Sequence, residues 1–224
     1  MSMASRSEPV CLIVGAGLGI SLAVARCFGA EGFKLGLIAR QTDKLEEVSG
    51  TLRAEGFDSF TATADAGDED SLRNAIRSIH DKAGETQVLV YNAFAATPSN
   101  PSNLELARLL QDFRVNVGGA LVAVQNVLQP MRRAARGSIL LTGGGFALQP
   151  AAGMASLSIG KAGIRSLALS LFQELQPAGI HAATVTICGI VREGSHFSPD
   201  KIAQEFLKLH RQEPNDWSPE IIYQ

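Results

Sequence analysis

A cluster of glycines near the start of the chain has the residue types and spacing that hold a phosphate group. Val10–Val14 is wholly apolar, and Gly15–Gly19 follows it directly with the sequence Gly-Ala-Gly-Leu-Gly. Between a strand and a helix, such a loop presents free backbone N–H groups and a helix N-terminus to a pyrophosphate. Gly15 permits the tight turn, while Gly17 or Gly19 lets the backbone approach the ligand. A plain turn between strand and helix is the alternative interpretation.

The rest of the chain supplies the strands and helices that such a loop needs. Short apolar or β-branched segments predict strands at Val10–Val14, Leu35–Ala39, Ser59–Thr63, Gln87–Tyr91, Ser138–Thr142, His181–Ile187 and Glu220–Tyr223. Helical spacing predicts helices at Leu18–Glu31, Thr42–Ala54, Asp68–Ala83, Ser156–Gln176 and Ser198–Arg211, and one or two within Leu104–Leu128. Because strands and helices alternate without a break, we expect an α/β fold. It should be a doubly wound parallel sheet of about seven strands with helices on both faces.

Length and composition limit the classes of protein that the chain can be. The 224 residues contain no linker-like stretch and no internal repeat, so we expect one domain over residues 1–224. Apolar residues make up 46% of the chain, which excludes a disordered protein. The 20 Lys and Arg residues nearly balance the 22 Asp and Glu residues, for a net charge of −2. This balance does not favour a nucleic-acid partner.

Cysteine usage and the first residues indicate the compartment. Cys11, Cys27 and Cys188 form no Cys-x-x-Cys pair, which fits reduced thiols in the cytoplasm. Met1–Glu8 has no apolar core and does not resemble a signal peptide. No apolar run reaches the roughly 20 residues of a membrane helix, and no His/Cys/Asp cluster suggests a metal site. We therefore expect a cytoplasmic protein without a metal or membrane anchor.

The glycine-rich loop also resembles a known family motif. Residues 15–20 are similar to the Gly-x-x-x-Gly-x-Gly loop of the short-chain dehydrogenase/reductase family, with Gly15 and Gly19 at its first two glycines and Ser21 at its third. Other landmarks of that family follow in order along the chain. They are Asp65 after the third strand, Asn92 and Ala93 after the fourth, Asn116 in the central helix, Lys161 of the Tyr-x-x-x-Lys motif, and Gly189, Ile190 and Val191 after the sixth strand.

The resemblance implies a Rossmann-type domain that binds NAD(P) and transfers hydride to or from a small carbonyl or alcohol substrate. The implied cofactor contacts are Gly15, Gly17, Leu18, Gly19, Ile20, Arg40, Asp65, Ala66, Asn92, Ala93, Lys161, Gly189 and Val191, and the implied catalytic residues are Lys161 and Asn116. Members of the family commonly form a homodimer or homotetramer through two long helices, which correspond here to Leu104–Leu128 and Ser156–Gln176.

The residue after the second strand bears on the choice of cofactor. A carboxylate there would accept hydrogen bonds from the ribose 2′-OH and repel a 2′-phosphate. This chain has Arg40 instead, and a guanidinium pairs well with a phosphate. Asp43 is the nearest acid, but it fits better in the first turn of a helix. The sequence therefore favours NADP(H) over NAD(H), with a surface arginine as the alternative reading of Arg40.

Two positions depart from the family's catalytic pattern. The proton-donating tyrosine should stand four residues before Lys161, where this chain has Leu157. The serine that polarises the carbonyl aligns with Gly144. A positioned general acid contributes about 10²–10⁴-fold to a rate, and an oxyanion donor about 10²–10³-fold. Ordinary ketone reduction by the usual residues should then be very slow.

Three groups could compensate for the missing donors. Lys161 could deliver a proton if its ammonium is desolvated. His196, which follows the sixth strand, titrates in a useful pH range. The N–H groups of Gly143–Gly145 could form a small oxyanion-binding nest. Each group also has a simpler interpretation. Lys161 could only bind the cofactor, His196 could be a loop histidine, and the three glycines could form a turn that makes room.

Two functions therefore remain open at this stage. The first is an NAD(P)-dependent oxidoreductase with an atypical active site. The second is a catalytically silent NADP(H)-binding protein that acts as a sensor or a partner subunit. Retention of Lys161 and Asn116 favours the first, and the absence of the tyrosine and serine favours the second.

Overall fold

The structure, a computed structural model, describes residues 8–224, so the leader prediction for Met1–Glu8 falls almost wholly outside the described residues. Seven parallel strands form one sheet. They are β1 Val10–Val14, β2 Lys34–Ala39, β3 Ser59–Thr63, β4 Thr86–Tyr91, β5 Gly137–Thr142, β6 Ile180–Ile187 and β7 Glu220–Tyr223. Their order is β3-β2-β1-β4-β5-β6-β7. The order reverses between β1 and β4, which is where ligands bind in sheets of this kind.

Residues 8–224 form seven α-helices. They are α1 Ile20–Ala30, α2 Thr42–Ala54, α3 Glu69–Ala83, α4 Leu106–Phe113, α5 Gly119–Ala134, α6 Ala155–Leu175 and α7 Pro199–His210. Helices α3, α5 and α6 pack on one face in one apolar core, and α1, α2 and α7 pack on the other face in a second core. The predicted doubly wound α/β fold with seven strands is confirmed.

The central strands are mostly apolar because side chains of successive residues enter different cores. In β4, Val88 and Val90 join the core under α1 and α7, whereas Leu89 and Tyr91 join the core under α3 and α5. Alternation of this kind buries both faces of a parallel strand. Because the strands are all parallel, their carboxyl ends lie at one edge of the sheet, where the loops carrying the predicted site residues also lie.

The central helical region is more irregular than the sequence predicts. The segment expected within Leu104–Leu128 consists of α4, a π-helical turn at Arg114–Gly118, and α5, which extends to Ala134. The helix ends where Ala135 adopts a left-handed backbone with φ of 47°. A π turn widens the helix by one residue and is often found at functional sites. Here it buries Asn116 against neighbouring elements.

Candidate functional site

Gly15 forms the tight turn at the end of β1. Its φ is +89°, and its N–H donates a 2.8 Å hydrogen bond to the carbonyl of Ile38 in β2. A Cβ placed on Gly15 would lie 2.3 Å from the backbone nitrogen of Ala93 and 2.8 Å from the carbonyl carbon of Asn92. Only glycine therefore allows the loop after β1 and the loop after β4 to approach this closely.

Hydrogen bonds brace this contact between the two loops. The Ser21 hydroxyl donates to the carbonyl of Gly15 at 2.8 Å, and the Asn92 side-chain amide donates to Ser21 Oγ at 2.8 Å. The N–H of Asn92 donates to the carbonyl of Val14 at 2.8 Å. The family resemblance assigns Ser21 only the place of the third glycine of the loop. In the structure its buried hydroxyl is the link between the glycine-rich loop and Asn92.

The outer side of the glycine-rich loop is open. A Cβ on Gly17 or Gly19 would have no heavy atom within 4 Å, and Leu18 between them is exposed. Helix α1 begins at Ile20, two residues later than predicted, and its first turn has no side-chain cap and no acidic residue. An uncapped helix N-terminus presents free N–H groups and partial positive charge. The loop residues therefore fit a phosphate group.

Arg40 and Asp65 stand after β2 and β3, at the same edge of the sheet as the glycine-rich loop. Both side chains are exposed. Asp65 Oδ1 accepts a 2.8 Å hydrogen bond from the N–H of Gly67, which orders the turn that also contains the buried Ala66. Within residues 8–224, no carboxylate forms an ion pair with Arg40. Asp43 lies in the first turn of α2, as the sequence predicts.

Lys161 lies in the second turn of α6, beside the carboxyl end of β5. Its Nζ donates a 2.8 Å hydrogen bond to the carbonyl of Thr142, the last residue of that strand. Burial of the ammonium lowers the pKa of Lys161 to about 8. The ring centroid of Phe94 lies 5.8 Å from Nζ, within cation–π range. The lysine is thus anchored at one side and faced by an aromatic ring at another.

Leu157 lies one helical turn before Lys161 and is nearly buried, yet it belongs to neither core cluster. The two serines beside it use their hydroxyl groups locally. Ser156 Oγ accepts a 3.0 Å hydrogen bond from the N–H of Thr97, and Ser158 Oγ donates to the carbonyl of Met154 at 2.9 Å. These serines therefore tie the start of α6 to neighbouring backbone.

Asn116 braces the loop after β4. Its Oδ1 accepts from the N–H of Ala95 and its Nδ2 donates to the carbonyl of the same residue, both at 2.8 Å. A Cβ on Gly160 would lie 2.4 Å from Asn116 Nδ2, so the amide packs tightly on α6 directly before Lys161. Asn116 thus joins the central helix, the post-β4 loop and α6. This geometry shows a positioning contact, and the predicted catalytic role stays a prediction.

The three glycines after β5 differ in their surroundings. The N–H of Gly143 donates to the carbonyl of Val185 at 2.9 Å, so it is used by the sheet and does not contribute to a nest. Gly144 has an extended backbone with φ of −171°, and a Cβ there would lie 3.4 Å from the Lys161 methylenes. That distance is ordinary van der Waals contact. Gly145 begins a short 3₁₀ turn.

The two tyrosines of the chain and His196 make contacts elsewhere. The Tyr91 hydroxyl is buried and donates to the carbonyl of Val115, and burial raises the pKa of the Tyr91 phenol. His196 stacks on Tyr223 at 4.7 Å, and its Nε2 lies 3.1 Å from the carbonyl oxygen of Gln224. The Tyr223 hydroxyl donates to the carbonyl of His196 at 2.8 Å. His196 and Tyr223 therefore bond to each other.

The loop after β6 carries the remaining predicted cofactor contacts. A Cβ on Gly189 would lie 2.2 Å from the ring of Phe197, so the loop folds closely around that aromatic side chain. The next two side chains point outward, with Ile190 87% and Val191 39% exposed. The sequence offers no signal for the contact between Gly189 and Phe197.

The grooves on the surface lie apart from this site. Two open grooves of about 490 and 550 Å³ run along α7 and between β3 and α3, and neither is lined by the glycine-rich loop or Lys161. Within residues 8–224, no group of three or more His, Cys, Asp or Glu side chains could hold a metal ion. The same part of the chain contains no helix that is long and apolar enough to cross a membrane.

A doubly wound sheet with an open glycine-rich loop at its switch point defines a dinucleotide-binding type of domain. The family model described as short chain dehydrogenase matches residues 9–198, which is most of the chain. The chain therefore belongs to the short-chain dehydrogenase family.

Individual relatives agree with this assignment. The 2,3-dihydro-2,3-dihydroxybenzoate dehydrogenase of Bacillus subtilis is 29% identical over 186 residues, which are 83% of this chain and 69% of that protein. The 3-oxoacyl-[acyl-carrier-protein] reductase of Bos taurus is 25% identical over 178 residues, 80% of this chain and 74% of that protein. A metagenomic short-chain oxidoreductase solved in complex with NADP has a TM-score of 0.87 and 25% identity, with 98% of both chains covered.

Proposed function

We propose that this chain is an NAD(P)-dependent oxidoreductase with an atypical active site. It would transfer hydride between the nicotinamide and a small carbonyl or alcohol substrate. The observation that carries the proposal is Lys161, held on the carbonyl of Thr142 at the same edge of the sheet as the glycine-rich loop. Membership of the short-chain dehydrogenase family supports it, as do relatives that are named as reductases and dehydrogenases.

NADP(H) is the cofactor we propose in preference to NAD(H). Arg40 is exposed directly after β2 and has no ion-pair partner within residues 8–224. A guanidinium in this position can pair with a 2′-phosphate and stack on a base. The metagenomic relative solved with NADP supports the same choice.

The residues around the reaction site define what the chain itself contributes. A nicotinamide, once bound, would supply or accept the hydride. Lys161 would hold the ribose of the cofactor, and with a pKa of about 8 it can exchange a proton near neutral pH. Asn116 and the Ser21–Asn92 link hold the loops that line the cleft. The atypical feature is that Leu157 and Gly144 stand where the family's proton donor and carbonyl-polarising hydroxyl are expected.

A catalytically silent NADP(H)-binding protein is the second candidate. The observation that favours it is the environment of Leu157, where the adjacent Ser156 and Ser158 hydroxyls are already bonded to backbone. Hydride transfer to a carbonyl leaves a basic alkoxide, and these serines supply no acid for it. Lys161 then remains as the candidate for proton transfer.

A binding titration followed by a turnover assay tests both candidates. Calorimetry with NADPH and NADH would be performed on the unaltered protein, on Arg40→Ala, and on Arg53→Ala as a matched control at the far end of α2. We expect Arg40→Ala to weaken NADPH binding by about ten-fold or more, with NADH binding unaffected and the control unchanged. Failure of both nucleotides to bind at millimolar concentration would contradict the proposal.

Turnover then separates the two candidates. NADPH-dependent reduction of any ketone or aldehyde in a panel supports the oxidoreductase if Lys161→Ala abolishes it while NADPH still binds at saturating concentration. Tight NADPH binding without turnover of the panel favours the silent protein.

We also propose that the chain assembles with a second copy through α4, α5 and α6. These helices expose apolar side chains at Leu106, Leu110, Phe113, Leu121 and Ile159. The spacing along α4 puts Leu106, Leu110 and Phe113 on one stripe, and contiguous exposed apolar surface commonly marks an interface. Light scattering should show a dimer or tetramer, and Leu110→Glu should shift it toward monomer. A monomer in the unaltered protein would remove this proposal.

A further inference from the structure

Phe94 is an aromatic residue whose position is not explained by burial. Its side chain is 58% exposed and belongs to neither core cluster. It lies in the loop after β4, two residues beyond Asn92, and its ring centroid is 5.8 Å from Lys161 Nζ. The ring therefore faces the ammonium group of Lys161.

The backbone on both sides of Phe94 is held firmly. The N–H of Asn92 donates to the carbonyl of Val14 in β1, and Ala95 is bonded through both its N–H and its carbonyl to Asn116. The side chain itself has no comparable restraint, because more than half of it faces solvent. Movement of this residue should therefore be a side-chain rotation and not a displacement of the loop.

The distance between the ring and the ammonium leaves no space for another group in between. One N–H of Lys161 is used by the carbonyl of Thr142, which leaves two N–H groups of the ammonium for other partners. A hydroxyl bound to Nζ lies about 2.8 Å from it, and a ring in contact with that hydroxyl needs a further 3.5 Å or so, about 6.3 Å in total. The observed 5.8 Å is shorter. A hydroxyl therefore cannot bind Nζ on the line between Nζ and the ring centroid while the ring stays in this place.

We propose that Phe94 is a gate residue that competes with the nicotinamide ribose for the ammonium of Lys161. The proposal rests on the proposed function, since it takes Lys161 as the group that binds this ribose. The ring must rotate away before the nicotinamide half of the cofactor reaches the lysine. The adenine half binds near Arg40 and the glycine-rich loop, away from Phe94, and is not affected. Phe94 therefore sets the affinity for the complete dinucleotide and not for its adenine fragment.

The size of the effect follows from the contact that must be lost. An exposed cation–π pair corresponds to about a two- to five-fold change in a binding constant. Phe94→Ala should strengthen NADPH binding by about that factor. Phe94→Trp should weaken it, because the indole ring attracts a cation more strongly than a phenyl ring. Neither variant should unfold the protein, since the side chain is exposed and outside both cores.

Calorimetry with two ligands tests the proposal. NADPH and adenosine 2′,5′-bisphosphate, which lacks the nicotinamide ribose, would be titrated into the unaltered protein, Phe94→Ala, Phe94→Trp, and Leu148→Ala as a control at another exposed apolar residue. We expect the NADPH affinity to rank Ala above Phe above Trp at position 94. The bisphosphate should bind all four proteins equally, and the Leu148 variant should match the unaltered protein.

The outcomes separate the gate from the function on which it rests. Equal NADPH affinity across the three residues at position 94, or weaker binding in Phe94→Ala with the bisphosphate unchanged, would overturn the gate alone. The second result would mean that the ring holds the dinucleotide instead of competing with it. Binding of neither ligand by any of the proteins would remove the proposed function and the gate together. A circular-dichroism melt of each variant checks that the fold is retained.

Discussion

Gly15 and Gly144 both follow a buried strand at the carboxyl edge of the sheet, but their surroundings differ. A side chain at Gly15 would overlap the backbone of Asn92 and Ala93, and its φ of +89° is one that other residues rarely adopt. A Cβ at Gly144 would make ordinary contact with Lys161, on an extended backbone. The fold therefore requires glycine at position 15 but does not require it at position 144.

The same contrast separates the two halves of the cleft. In the half built from the loops after β1, β2 and β3, Gly15 and the Ser21–Asn92 link are determined by backbone contacts. The other half is built from α6 and the loop after β5. There, Leu157 belongs to neither core cluster and Gly144 has room for a Cβ, so backbone contacts do not determine these two residues. Residues of the second half could change without disturbing the fold. The chemistry of this protein is therefore less constrained by its architecture than its proposed cofactor binding is.

The largest expected effect would come from restoring hydroxyl groups to the second half. Leu157→Tyr combined with Gly144→Ser should raise NADPH-dependent reduction of a ketone by about 10²–10⁴-fold, because it supplies a proton donor and an oxyanion donor beside Lys161. The rate of NADPH consumption measures this. The matched control is Leu157→Phe with Gly144→Ala, which has similar bulk and no hydroxyl groups. Equal rates in the two double variants would show that something other than the missing hydroxyl groups limits the reaction in this half of the cleft.

The next effect is on stability and tests the first half. Gly15→Ala should lower the free energy of unfolding by about 3–5 kcal/mol, since it adds backbone strain to a steric overlap with Ala93. Gly17→Ala is the control, because it has no neighbour within 4 Å and should change stability by less than about 1 kcal/mol. Urea denaturation compares the two. If both variants were equally stable, the requirement for glycine at the end of β1 would be refuted.

Strands and the glycine-rich loop could be predicted because their sequence signals lie within a few neighbouring residues. Val10–Val14 and Ser138–Thr142 are correctly predicted strands because a strand buried on both faces carries a run of apolar residues, as at Val10–Val14 and at the centre of Ser138–Thr142. The glycine-rich loop was recognisable since its conformation is encoded within a few residues. In both cases the physical cause and the sequence signal lie in the same place along the chain.

Contacts between distant residues were not predictable in the same way. The pairing of Asn116 with Ala95 joins residues 21 positions apart, and the approach of Phe94 to Lys161 joins residues on different elements. The π turn at Arg114–Gly118 has no composition that distinguishes it from an α-helix. These features depend on how α5 and α6 pack against the loop after β4. The predicted cofactor and catalytic roles of the site residues stay predictions until binding is measured.

Asn116 joins the two halves, so its removal tests whether they depend on each other. Asn116→Leu should lower the free energy of unfolding by about 2–4 kcal/mol, because the N–H and carbonyl of Ala95 would lose their partners. Asn126→Leu is the control. Its amide donates only to a carbonyl within its own helix, and we expect a loss under about 1 kcal/mol. Urea denaturation again provides the measurement, and similar losses in both variants would argue against a bracing role for Asn116.

The smallest effect concerns the lysine itself and depends on pH. Burial lowers the pKa of Lys161 to about 8 in the folded protein, against about 10.4 in an unfolded chain. Between these values the unfolded chain binds more protons, so the free energy of unfolding should rise with pH over this range. Lys161→Met removes that contribution. We expect the stability of the unaltered protein relative to Lys161→Met to increase by about 1–2 kcal/mol between pH 7.5 and pH 10.

Denaturation of both proteins at several pH values would show the effect as a difference that grows with pH. A constant difference would mean that the ammonium is as well solvated in the cleft as in water. In that case Lys161 would retain its anchoring hydrogen bond to the carbonyl of Thr142, but it would not exchange protons near neutral pH. The second half of the cleft would then hold no group suited to proton transfer, and the silent NADP(H)-binding protein would become the better account of the chain.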